Sequence, residues 1–148
     1  MNVFLQCRSD YHFEFSPEKD AMFQPEAGRY HLIVAYACPW AHRTLMTRAL
    51  KGLEDVISIS VVHPVWQKTR PGEDDHRGWI FGNPNGTNLT NSEGRGGPFP
   101  AAYEGNEVDP LFGHQSVRDF YDHAGDTEGK YTVPILWDKK LNTIVSNE

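Results

Sequence analysis

Reactive chemistry in this chain centres on one thiol. Cys38 stands in "AYACPWAHRTLMTRALKGL", residues 35–53, with Pro39 and Trp40 directly after it and His42 close behind. The preceding run "HLIVAY" is dense in β-branched and aromatic residues, whereas Leu45, Ala49 and Leu53 follow at four-residue steps, the spacing of one helical face. Cys38 therefore sits where a strand hands over to a helix. Free amides at a helix N-terminus stabilise negative charge, so this position favours the thiolate, the nucleophilic form of cysteine. Pro39 suits the first helical position, where no N–H is needed. The bland reading makes Cys38 a buried small hydrophobe; the Cys-Pro pair at a strand-to-helix junction favours the chemical one. Positions 41 and 43 are Ala and Arg, so a CxxC dithiol cycle is ruled out and a resolving thiol must come from another molecule. Cys7, in the polar leader, reads as a bystander.

The elements that must position this thiol follow from periodicity and turn chemistry. A strand over His31 to Tyr36, a helix over Pro39 to Lys51 and the strand "DVISISVV", closed by "HP", make a βαβ unit and hence parallel pairing. Residues 66–110 hold many of the glycines and prolines and read as a long irregular insertion. A helix over His114 to Ala124 places Val117, Phe120, Tyr121 and Ala124 on one face, and "GDTEGK" ends it. "YTVPILWD" and "NTIV" then form a hairpin across "DKKLN". The class is α/β, with residues 30–148 as the folded domain and residues 1–29 as an N-terminal extension. That extension carries Tyr11, Phe13, Phe15 and Phe23 without periodicity, as a segment covering another surface would.

Whole-chain numbers exclude several partners. A chain of 148 residues, 39% hydrophobic and 23% charged, suits one globular domain. A net charge of -6, a pI near 5.6 and no Lys/Arg cluster longer than a pair argue against nucleic acid. No stretch approaches the length of a membrane helix and no secretory leader is visible, so a cytoplasmic protein without a membrane partner is expected. His76 in "EDDHR" and the other histidines lack ligand spacing, so no metal is expected and His76 reads as part of a solvated loop. In a reducing compartment the abundant small thiol is glutathione, which makes it the candidate co-substrate for a single-cysteine redox enzyme.

The element order, with a cysteine opening the first helix and "VP" opening the third strand, resembles the thioredoxin-type fold. More closely, "CPWAHR", "GWIF" and "TVPILWDKKLNTIVSNE" together resemble the glutathionyl-hydroquinone reductases, or Xi-class glutathione transferases, from about His31 to the last residue. The resemblance implies a thioredoxin-like N-terminal part that binds glutathione, without the last helix of that domain and without the all-helical C-terminal domain that supplies most of the aromatic-substrate pocket. One face of the sheet is then expected to lack its cover. Full-length members of the family are candidates for homodimers. Glutathione serves as co-substrate, glutathionylated quinols as substrates, and no bound cofactor is needed.

The same resemblance implies roles for individual residues. Cys38 matches the catalytic cysteine that takes up glutathione as a mixed disulfide. Trp79 matches a tryptophan contacting glutathione, its bland alternative being a core aromatic that anchors the insertion. Val133 and Pro134 match the pair in which a cis proline turns backbone groups towards glutathione. Lys130 lies where relatives often carry arginine and either pairs a glutathione carboxylate or is an exposed turn lysine. Glu148 matches the glutamate that binds the γ-glutamyl end. Trp40 either walls the pocket or lies open on the first turn, and His42 either polarises the thiol or sits on the helix surface. Two functions stay open: an enzyme reducing glutathionyl-hydroquinones, and a truncated glutathione-binding module with weak glutaredoxin-like or dehydroascorbate-reducing activity.

Overall fold

The computed structural model describes residues 11, 13–91, 93–106 and 108–147. Its elements are β1 (Tyr30–Val34), α1 (Pro39–Leu50), β2 (Ile57–Val61), β3 (Gln67–Lys68), β4 (Arg77–Gly78), α2 (Val117–His123), β5 (Ile135–Asp138) and β6 (Thr143–Ser146). A four-stranded sheet runs in the order β2-β1-β5-β6. β1 is parallel to β2, as the crossover through α1 requires, and antiparallel to β5, which pairs antiparallel with β6. This is the expected thioredoxin-like arrangement.

Buried apolar strands build the sheet's centre. All five residues of β1 are buried, and Ile33, Ile135, Trp137 and Ile144 share one core with Phe120 and Tyr121 of α2. α1 buries Ala41 and packs Leu45 against that core, while Ala49, on the face the four-residue spacing singles out, is exposed. At the β5–β6 turn the Asp138 carboxylate accepts from the amides of Lys140 and Leu141 at 2.8 and 3.2 Å. Asn142 takes a left-handed φ of 52°, which asparagine tolerates better than most residues.

Element boundaries depart from the sequence expectation where the chain turns. β1 ends at Val34 and not at Tyr36, because the Cys38 amide donates to the Ala35 carbonyl at 3.0 Å and uses residues 35–37 as a tight turn. α2 starts at Val117 and not at His114, since the Asp119 carboxylate reaches back to Ser116 N at 2.8 Å and Ser116 Oγ at 2.9 Å, the returning half of a capping box. The insertion is not wholly irregular: β3 and β4 pair antiparallel within it. Arg70 binds Asp119 and Asp122 at 3.1 and 2.6 Å, and Arg118 binds Asp74 at 2.6 Å, which ties this hairpin to α2.

The leader does cover another surface. The Phe13 amide donates to the Val145 carbonyl at 3.1 Å, and the Phe15 ring meets Tyr30 edge-on at 4.9 Å. Tyr30 is buried, yet a groove of about 850 Å³ persists between α1 and the sheet, bordered by Phe13, Phe15, Thr47, Val56 and Leu136. The sheet face expected to lack its cover thus carries Phe13 and Phe15 of the leader and opens into this groove. Among the described residues no helix is long and apolar enough to cross a membrane.

Candidate active site

Cys38 is the N-cap residue of α1, with extended φ and ψ of -98° and 116°, and Pro39 follows it in the first turn. The turn at residues 35–37 delivers it from the end of β1 to the N-terminus of the helix, where the first amides lack intrahelical partners, and the side chain makes no capping hydrogen bond to them. No acidic residue lies in that turn to oppose a negative charge. Only 8% of Cys38 is exposed, and its Sγ–H points to the Val133 carbonyl oxygen at 3.5 Å. Cys38 is the only cysteine among the described residues; Cys7 lies outside them.

Val133, whose carbonyl faces the thiol, is followed by Pro134. Their peptide bond is cis, as the resemblance implies, and both residues are buried at the entrance to β5. The segment before them is held from below: the buried Tyr121 hydroxyl donates to the Thr132 carbonyl at 3.0 Å and accepts from Asn147 Nδ2 at 3.1 Å. Burial raises the Tyr121 phenol above its ordinary pKa, so it stays a donor throughout the physiological range.

The other expected site residues divide. Trp79 packs half-buried on the core that includes Cys38, meets Trp66 edge-on at 5.3 Å, and accepts the Val117 amide on its carbonyl at 3.0 Å. These contacts join it to the insertion and to α2. Lys130 is half exposed beside Glu128, 3.7 Å away, in the same segment as Val133. Trp40 stands 61% exposed next to the thiol, with the Arg43 guanidinium 4.9 Å from its ring centre. His42 is exposed, and its Nε2 donates to the Tyr36 carbonyl at 2.8 Å, which braces the turn that presents Cys38. Glu148 lies outside the described residues. Among those residues no group of three or more His, Cys, Asp or Glu side chains is gathered as a metal site would need.

One expectation requires correction. His76 is not a solvated loop residue: it is half-buried, its Nδ1 lies 2.8 Å from Thr69 Oγ1, and its ring meets Tyr131 edge-on at 4.8 Å. Tyr131, which adjoins Lys130, has a left-handed φ of 32°. The glycine of "EGKYT" marks a turn there, but nothing local marks the tyrosine.

Comparison with known proteins gives a consistent picture. Residues 37–148 match the family described as "Glutathione S-transferase, N-terminal domain". The chain is 43% identical over 141 residues to "Glutathione S-transferase omega-like 2" of Schizosaccharomyces pombe, covering 95% of this chain and 36% of that protein. Glutathionyl-hydroquinone reductase YqjG of Escherichia coli is 41% identical over 127 residues, covering 85% and 31%. Its glutathione-bound structure superposes with a TM-score of 0.66 over 90% of this chain and 35% of that one. A Xi-class transferase structure from Natrialba magadii gives a TM-score of 0.73 at 40% identity, over 99% and 38%. The chain therefore spans well under half the length of these relatives. Their names agree with the resemblance drawn from "CPWAHR", "GWIF" and "TVPILWDKKLNTIVSNE", and with the family match over most of its length the chain belongs to the glutathione S-transferase N-terminal domain family.

Proposed function

We propose that this chain is the thiol-bearing, glutathione-binding part of a cytoplasmic enzyme that reduces glutathionyl-hydroquinones to hydroquinones. The Cys38 thiolate attacks the sulfur of the glutathionylated quinol. The carbon–sulfur bond breaks, the aromatic carbon takes up a proton, and Cys38 holds glutathione as a mixed disulfide. A second glutathione thiolate attacks the glutathione sulfur, releases oxidised glutathione and returns Cys38. The single observation that carries this reading is Cys38 at the N-cap of α1, facing the Val133 carbonyl, with no second cysteine beside it among the described residues. Trp79, Lys130, Val133, Pro134 and Glu148 are the proposed glutathione contacts, with Trp40 and His42 at the rim of the pocket. The hydroquinone substrate class is supported by the name of the Escherichia coli relative.

A second reading, a glutathione-binding module with weak glutaredoxin-like activity, draws on the 31–38% of relatives' length that the chain spans. The experiment that separates them measures kcat/KM of the chain for glutathionyl-benzohydroquinone and for a glutathionylated peptide. Preference for the quinol, abolished by Cys38→Ser, supports the reductase. Preference for the peptide supports the module.

A further inference from the structure

Tyr131 adopts a φ of 32°, in the left-handed region that an L-residue with a bulky side chain rarely enters. Such a conformation persists only where the surroundings over-determine it. They do so through the ring. His76 meets it edge-on at 4.8 Å, Tyr121 does so at 5.7 Å, and the Arg118 guanidinium carbon lies 5.3 Å from its centre. Each holder is itself fixed. His76 is bonded to Thr69, and Gly78 leaves room for it, since a Cβ there would lie 3.0 Å from His76 Cε1. Arg118 binds Asp74 at 2.6 Å and reaches Thr69 Oγ1 at 3.5 Å. Thr69, Asp74, His76 and Gly78 all belong to the β3–β4 hairpin of the insertion. Burial, and secondarily Arg118, hold the His76 imidazole below its ordinary pKa, so it packs beside the guanidinium as a neutral ring.

Beyond Tyr131 the chain runs straight into the site: the Thr132 carbonyl accepts from Tyr121, and the Val133 carbonyl faces Cys38. We propose that Tyr131 is a positioning residue, the latch by which the β3–β4 hairpin of the insertion, through His76 and Arg118, holds the glutathione-contacting backbone at Val133 in place over Cys38. This rests on the reading of residues 130–134 as a glutathione contact. The β3–β4 hairpin thereby acquires a positioning task in the site that its composition does not suggest.

The test uses the full chain with Tyr131→Phe, Tyr131→Leu and His76→Ala. Two quantities are read: amide hydrogen exchange in the peptide spanning residues 129–134, and the protection of Cys38 from iodoacetamide by S-methylglutathione. The latch predicts that Tyr131→Leu and His76→Ala speed exchange in 129–134 at least tenfold and weaken protection at least fivefold, with α1 exchange unchanged. Tyr131→Phe, which keeps the ring, retains wild-type values. Wild-type exchange and protection in both Tyr131→Leu and His76→Ala overturn the latch, as does Tyr131→Phe behaving like Tyr131→Leu, or exchange rising equally in α1. Absence of protection in the wild-type chain refutes the glutathione reading itself, and the positioning role with it.

Discussion

The sulfur of Cys38 and the carbonyl oxygen of Val133, 95 residues apart in the chain, lie 3.5 Å from each other. They meet because β1, which delivers Cys38, pairs directly with β5, which Val133 enters. The register of that pairing places Tyr30 opposite Asp138, and the neighbouring Arg29 closes on the Asp138 carboxylate through Nε at 3.0 Å to both oxygens, with both side chains almost fully buried. A buried ion pair thus closes the far end of the strand pair that brings Cys38 and Val133 together.

Removing one member of that pair should be costly. Burial alone would raise the Asp138 carboxyl, but the Arg29 bond and the Lys140 and Leu141 amides outweigh it and hold the group below its ordinary value. Asp138→Asn leaves the buried Arg29 cation with only the half-exposed Glu26 carboxylate, 3.6 Å from Nη1, as counter-charge, and the expected loss is about 3 kcal/mol. Urea unfolding at pH 7 checks this. A loss under about 1 kcal/mol would mean that the pair does not secure the sheet.

Stability should also fall on mild acidification, through His31. Its Nδ1 and Nε2 lie 2.7 and 2.8 Å from Ser58 Oγ and Ser60 Oγ, and burial lowers its pKa to about 4, aided by Lys139 and opposed by Asp109. The unfolded chain then binds more protons at this residue than the folded one between about pH 6.5 and 4. The His31 contribution is complete above that window and is lost as pH falls through it, by about 3 kcal/mol. Asp138 acts in a separate range, its contribution disappearing below its ordinary pKa. Urea midpoints across this window should slope steeply for the wild-type chain and much less for His31→Asn. Equal slopes would show that His31 titrates normally.

Gly82 should tolerate no side chain. A Cβ at this position would lie 1.9 Å from the Asn106 carbonyl oxygen and 2.3 Å from Asn106 Oδ1, and Asn106 is itself buried. Gly82→Ala must therefore push the two backbone segments of the insertion apart, at an expected cost of about 1–3 kcal/mol. Gly94→Ala, where a Cβ would meet nothing within 4 Å, controls for the conformational effect of losing a glycine, although its φ of 72° adds strain of its own. A Gly82→Ala melting temperature equal to wild type would place Asn106 elsewhere.

What the sequence made legible was local. The strand-to-helix junction at Cys38 shows itself in a β-branched run followed by Pro39, and the β5–β6 hairpin in apolar runs flanking "DKKLN". β3 and β4 could not be read, because alternation does not declare itself in strands of two residues. The role of His76 was hidden for a different reason: its partners Thr69, Arg118 and Tyr131 come together only when the insertion folds back on α2. Ala35 and Tyr36 read as strand by composition, yet the need to seat Cys38 at the N-cap turns them out of the sheet. Tertiary demands at the site overrode local propensity there.

Whether Cys38 carries glutathione, as proposed, is read out by intact-mass and peptide mapping after treatment with oxidised glutathione. One glutathione adduct is expected, located on the peptide containing Cys38, removed by excess reduced glutathione and absent in Cys38→Ser. An adduct on Cys7 alone, or equal labelling of Cys7 and Cys38, would contradict the proposal.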